Sequence, residues 1–146
     1  MNVLFICSGN TCRSAMAAAI MDKLAGERNL DIRIESAGLF AFEGEKASEN
    51  AVETLEKRGI DLSYHRSKAV TADLINQSDL ILTMTAAHKQ ALAPFAEDKT
   101  FMLSEYVGAA GDISDPYGGG LETYDKTAEE LYELLENFAA KLSEEK

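Results

Sequence analysis

The chain has 146 residues, 46% of them hydrophobic and 27% charged, the size and composition of one ordinary globular domain. A chain of this length buries a core without disulfides or a structural metal. Its 25 acids against 14 bases leave a formal charge of -11, which argues against non-specific nucleic-acid binding and against docking on anionic membranes.

Residues 2–7 (NVLFIC) form a short apolar run ending in Ser8-Gly9, and they read as a first buried strand. This start lacks the charged n-region and long apolar stretch of a secretory signal, so the expected location is the cytoplasm. Residues 14–25 are rich in Ala, Met and Leu and predict a helix. Residues 31–37 (DIRIESA) alternate before Gly38 and predict a second strand. A helix is expected over 47–58, with Gly59 as its C-terminal cap, and a short one over 71–76 opened by Thr71. Residues 78–84 (SDLILTM) read as a third strand, 85–92 as a helix ended by Pro94, and 99–103 (KTFML) as a weaker fourth strand. The last segment, 121–142, puts Leu131, Leu134, Leu135, Phe138 and Leu142 on one helical face. Its acids Glu122, Asp125, Glu129, Glu130, Glu133, Glu136, Glu144 and Glu145 outnumber Lys126, Lys141 and Lys146, which reads as a solvated face. No run of about 18 apolar residues occurs, so no membrane span is expected.

Strands alternating with helices imply a doubly wound α/β domain. Such folds bind ligands beyond the carboxyl ends of their strands, which directs attention to the loop after the first one. That loop reads Cys7-Ser8-Gly9-Asn10-Thr11-Cys12-Arg13-Ser14 and runs into the Ala-rich helix. A strand, a small polar loop and a helix start gather backbone N–H groups into an anion-binding concavity. Gly9 removes a side chain where the backbone must turn or approach a ligand. Asn10 can hold the loop in shape, in a left-handed conformation if needed. Arg13 can grip two oxygens of a tetrahedral oxyanion with its planar fork. No acid occurs among the first 21 residues, so the local field opposes the global charge. The helix start and the guanidinium favour a Cys7 thiolate, and Ser14 can donate to it or cap the helix.

A bare Cys-x5-Arg spacing also fits a buried strand-end cysteine and a surface arginine; the glycine, the asparagine and the Arg-Ser opening a helix weigh against that reading. The two cysteines are too few for a disulfide framework. A zinc site from Cys7, Cys12, His65 and His88 is disfavoured by the cysteine spacing. His88 reads as structural.

Cys7 to Ser14 resembles the signature of the low-molecular-weight protein tyrosine phosphatases, and the resemblance extends over the whole chain. Ser36-Ala37-Gly38 is similar to the family's Ser-Ala-Gly, His65-Arg66-Ser67-Lys68 to its His-x-(Ala/Ser)-(Arg/Lys), and Asp115-Pro116-Tyr117 to its general-acid loop. Ala15 departs from the Pro that many members carry, at a helical position that Ala also suits. The resemblance implies one three-layer domain over residues 1–146, flavodoxin-like, with a central four-stranded parallel sheet and a phosphate-binding loop after strand 1. It implies a monomeric phosphatase of phosphorylated proteins that uses no metal or other cofactor.

In that family's mechanism Cys7 is the nucleophile and forms a phosphocysteine. Arg13 and the amides from Ser8 to Arg13 bind the phosphoryl group. Asp115 is the general acid and then the general base. Ser36 and His65 support Asn10 and the loop, and Cys12 protects an oxidised Cys7 through a reversible disulfide. A lone Asp-Pro is also a common turn, but a segment from Gly111 to Gly120 is long enough to reach over a site.

Two features point to phosphoarginine rather than phosphotyrosine. Thr11 stands where tyrosine-directed members usually carry an aliphatic residue and the bacterial protein-arginine phosphatases carry Thr. Tyr117 is followed by Gly118-Gly119, which leaves open a wall that tyrosine-directed members often close with a second aromatic. Phe40 then lines the entrance. Phosphotyrosine hydrolysis is the alternative. An arsenate reductase of the thioredoxin-coupled type needs later cysteines, and none follows Cys12. A phosphocarrier has less need of Arg13 and Asp115, and that intact set also speaks against an inactive phosphate-binding module.

Overall fold

A computed structural model describes residues 1–144. Four strands, β1 (Asn2–Cys7), β2 (Arg33–Gly38), β3 (Leu80–Thr83) and β4 (Thr100–Met102), form an all-parallel sheet in the order β2-β1-β3-β4. Around it lie α1 (Arg13–Glu27), α2 (Glu49–Glu56), α3 (Ala72–Gln77), α4 (Ala86–Ala96), α5 (Leu103–Tyr106) and α6 (Leu121–Glu144). This is the doubly wound three-layer architecture expected.

The central strand is apolar on both faces because both are covered. Val3 and Phe5 pack with Met16 and Ile20 of α1 and with Leu131 and Phe138 of α6. Leu4 and Ile6 face the other way, toward Ile75 of α3 and Leu92 and Ala96 of α4. β1 has β2 on one side and β3 on the other, so the chain reverses direction beside it, and the loop after Cys7 opens at that switch point.

The strand boundaries shift where pairing partners end. Asn2 pairs with Arg33, so β2 begins there rather than at Asp31, and it runs one residue further, to Gly38 opposite Cys7. β3 and β4 keep only the residues that pair with β1 and with each other, and Leu103, expected in the fourth strand, instead opens α5. The helix over 47–58 begins after Ser48, whose Oγ accepts from Ala51 N–H. Beyond it, Gly59 (φ 77°) closes a Schellman turn, with Gly59 N–H to Glu56 C=O at 3.0 Å and Ile60 N–H to Leu55 C=O at 2.9 Å. Thr71 caps α3 by accepting from Leu74 N–H.

Pro94 does not end α4, which continues to Ala96. Proline removes one N–H, and the carbonyl that loses its partner belongs to Gln90, an exposed residue. Burial of Leu92 and Ala96 holds the last turn in place.

In α6 the expected leucine and phenylalanine stripe is buried. Two acids of its other face are not simply solvated: Arg58 bridges Asp125 at 3.1 Å and Glu129 at 3.0 Å. Glu145 and Lys146 lie outside the described residues. Among the described residues, no helix is long and apolar enough to cross a membrane.

Candidate active site

The loop after β1 is shaped by where its carbonyls go. Cys7 C=O accepts from Leu39 N–H at 3.0 Å and Ser8 C=O from Phe40 N–H at 2.9 Å. Asn10 C=O accepts from His65 Nε2 at 2.6 Å, Thr11 C=O from Ser48 N–H at 3.0 Å, and Cys12 C=O from Met16 N–H at 2.9 Å. In a planar trans peptide the next N–H points opposite to each carbonyl. Five carbonyls tied outward therefore turn the amides of Ser8, Gly9, Thr11, Cys12 and Arg13 inward, around the end of α1. The result is a nest of positive dipoles.

Cys7 sits inside it, buried at the end of β1. Asn10 N–H lies 3.3 Å from its Sγ and Ser14 Oγ lies 2.8 Å away. Ser14 Oγ also accepts from Asn10 Nδ2 at 2.9 Å, which leaves the Ser14 hydrogen for the sulfur. Ser14 does not cap the helix: it is the second residue of α1, whose N-cap, Cys12, makes no side-chain capping bond.

The turn is made at Asn10 rather than at Gly9. Asn10 is fully buried and left-handed at φ 58°. Its Nδ2 also donates to Ser36 Oγ at 2.9 Å, and its Oδ1 accepts from Lys68 N–H at 3.0 Å. A Cβ on Gly9 would make only an ordinary contact, 3.8 Å from Thr11 Oγ1. The glycine that close approach requires is Gly38, at the end of β2: a Cβ there would lie 2.5 Å from Ser8 O and 3.0 Å from Asn10 N.

His65 donates through Nε2 to the Asn10 carbonyl, and burial, with Lys68 and Arg66 nearby, holds its pKa below the ordinary histidine value despite that bond. His65, Ser36 and Ser14 thus converge on Asn10.

Arg13 opens α1 and is buried. Its Nη1 donates to Ile113 C=O at 3.0 Å and its Nη2 stands 3.6 Å from Asp115 Oδ2. Asp115 is exposed, and its Oδ1 accepts from Tyr117 N–H at 3.0 Å. The loop that carries it is pinned at both ends, by Ile113 N–H to Met84 C=O at 2.9 Å and by Asn50 Nδ2 to Gly119 C=O at 3.2 Å. Asp112 turns away and accepts from Ala86 N–H at the start of α4. Phe40 and Tyr117 are 79% exposed.

Both cysteines are free thiols. Cys12 Sγ donates to Ser48 Oγ at 3.6 Å, and Tyr124 Oη lies 3.3 Å from the same sulfur. Burial and that contact push the Tyr124 pKa up to about 12, so the phenol beside Cys12 keeps its proton.

Two residues that meet the loop carry no local signal in the sequence. Tyr124, beside Cys12, lies outside the stripe read for the last helix. His88, read as structural, reaches the loop: its Nε2 is 2.9 Å from Ser8 Oγ. Its place is fixed by β3 and α4 lying beside β1, a neighbourhood that sequence spacing does not reveal. Among the described residues, no cluster of His, Cys, Asp and Glu could hold a metal ion.

The chain matches known proteins over nearly its whole length. The model for low molecular weight phosphotyrosine protein phosphatases matches residues 2–146. A protein-arginine-phosphatase of Bacillus subtilis (strain 168) is 43% identical, over 100% of this chain and 99% of its own. The low molecular weight protein-tyrosine-phosphatase PtpB of Staphylococcus haemolyticus is 41% identical, over 92% of this chain and 95% of its own. A solved structure of the YwlE arginine phosphatase, a mutant with a phosphorylated active-site serine, superposes with a TM-score of 0.95 at 42% identity, covering 97% of this chain and 95% of that one. With a cysteine-bearing amide nest at the switch point and agreement of this extent, the chain belongs to the low molecular weight phosphotyrosine protein phosphatase family.

Proposed function

We propose that the protein removes phosphoryl groups from phosphoarginine residues of proteins, with Cys7 as nucleophile, Arg13 as oxyanion binder and Asp115 as general acid and base. The observation that carries the phosphatase chemistry is the Cys7 sulfur enclosed by inward amides, with Asp115 across the site beside Arg13.

The loop amides and the Arg13 fork hold the three equatorial oxygens, whose charge they stabilise in the transition state. The Cys7 thiolate, supported by the Ser14 hydroxyl, attacks phosphorus in line. The P–S bond forms as the P–N bond breaks, and Asp115 gives its proton to the leaving guanidino nitrogen. Water then attacks the phosphocysteine and gives a proton to the Asp115 carboxylate. The P–O bond forms, the P–S bond breaks, and inorganic phosphate leaves a regenerated thiolate. In the same reading Ser36 and His65 hold the loop through Asn10, and Cys12 is the disulfide partner of an oxidised Cys7.

The substrate assignment is supported by Thr11 in the loop, by Gly118 (φ 83°) after Tyr117 in place of a second ring, and by relatives named as arginine phosphatases. A flat polar guanidinium suits a pocket with a hydroxyl better than a phenyl ring does, and Asp115 in its protonated form can hydrogen-bond the leaving nitrogen and then give it the proton. Phosphotyrosine is the second reading, favoured by the exposed Phe40 and Tyr117 rings and by the named tyrosine phosphatases among the relatives.

The test compares kcat/KM for phosphoarginine and phosphotyrosine peptides of one sequence. Wild type favours phosphoarginine, and Thr11→Ile lowers that preference. A ratio unchanged or raised by Thr11→Ile overturns the substrate assignment. Phosphate release by Cys7→Ser equal to wild type overturns the enzyme itself.

A further inference from the structure

Ser8 follows the nucleophile, and its hydroxyl meets a side chain from the other half of the chain. His88 lies on the first turn of α4, where Thr85 Oγ1 caps the helix by accepting from the His88 N–H at 3.2 Å. The ring is buried, and its Nε2 is 2.9 Å from Ser8 Oγ. Burial, then the charge of Arg13, lowers the His88 pKa to about 4 against the pull of Asp112 and Asp115, so the imidazole is neutral near pH 7 and carries one N–H.

The other ring nitrogen fixes where that hydrogen sits. Nδ1 is buried and has no hydrogen-bond partner among the described residues. A buried orphan N–H is rarer in proteins than an acceptor left short of a partner. The hydrogen therefore belongs on Nε2, and His88 donates to Ser8 Oγ. The Ser8 oxygen is then an acceptor on that side, and its own hydrogen is left for a group in the loop.

We propose that His88 is a positioning residue that donates through Nε2 to Ser8 Oγ and so directs the Ser8 hydroxyl hydrogen to an oxygen of the phosphoryl group bound in the loop. This rests on the phosphatase reading but is tested by binding as well as turnover.

The experiment measures the Kd of inorganic phosphate and the KM of an aryl phosphate for Ser8→Ala, His88→Leu, the double variant and His88→Gln, with melting temperatures alongside. Each of the first two weakens phosphate binding about ten- to a hundredfold, the worth of one hydrogen bond to a charged group. The double variant is no weaker than the worse single one. His88→Gln, whose amide nitrogen reaches the place of Nε2, restores binding. Imidazole 15N spectra of the full chain show Nδ1 unprotonated. Additive losses, a Gln variant as weak as Leu, or a proton on Nδ1 overturns the proposal. If His88→Leu fails to fold, Ser8→Ala, His88→Gln and the spectra still decide it. A wild-type protein that binds phosphate yet hydrolyses no phosphorylated substrate refutes the phosphatase reading instead.

Discussion

Asn10 concentrates more constraints than any other residue of the loop: a left-handed backbone, three side-chain hydrogen bonds, and a carbonyl held by His65. Replacing it separates these contributions. Asn10→Gly keeps the left-handed backbone and loses the side-chain bonds. Asn10→Ala loses the bonds and adds backbone strain of about 1 kcal/mol. Both leave Ser36 and the Lys68 N–H short of a partner in the interior, at about 1–3 kcal/mol per group. Urea unfolding at 25 °C is expected to rank wild type above Gly and Gly above Ala, with both variants at least tenfold slower in phosphate release. An Ala variant as stable as Gly would show that the backbone strain is not what the geometry indicates. The nucleophile, the arginine and the asparagine were legible in the sequence because they share one short loop. The partners that fix Asn10 lie at positions 36, 65 and 68, and only the resemblance pointed to Ser36 and His65. For His88 and Tyr124 no pattern was available at all, since a histidine in a helical turn and a tyrosine in a long helix are ordinary features of packing.

At the level of elements, the site depends on β2 ending where the loop after β1 begins. Gly38 is opposite Cys7 in the sheet register, and its N–H and C=O bond to Lys68 C=O and Val70 N–H. Because a Cβ at Gly38 would lie 2.5 Å from Ser8 O, a methyl group there meets backbone rather than a flexible side chain. Gly38→Ala is therefore expected to cost about 1–3 kcal/mol as an overpacking substitution. It should also impair phosphate binding, because the group displaced is a loop carbonyl that turns an amide inward. Binding of inorganic phosphate that survives intact in a destabilised Gly38→Ala variant would show that the loop holds its shape without β2. Periodicity located these strands and most helices, but their ends follow pairing. The helix through Pro94 escaped because the local cost of proline is outweighed by Leu92 and Ala96 meeting a sheet face formed by distant residues.

For the molecule as a whole, two electrostatic effects oppose each other as pH falls. The formal charge of -11 moves toward zero as pH approaches the sequence pI of about 4.6, which relieves self-repulsion in the folded state. The histidines act in the other direction. His88 titrates near 6.5 in an unfolded chain and at about 4 in the folded one, and His65 is shifted the same way. Above pH 6.5 both states hold the ring neutral and stability is unaffected. Between 6.5 and 4 the unfolded state binds a proton that the folded state refuses, so stability falls with pH by at most about 1.4 kcal/mol per unit for one such group. Wild type alone cannot separate this loss from the relief of repulsion. His88→Gln removes the titrating ring and leaves every other charge in place, so subtracting its stability from that of wild type cancels the shared charge effect. Urea unfolding at pH 8, 7, 6 and 5 should give a difference that is flat from 8 to 7 and then moves against wild type down to 5. A difference that stays flat to pH 5 would mean that His88 takes up its proton as readily folded as unfolded. The neutral ring that is proposed to orient Ser8 would then not be protected by its burial beside Arg13.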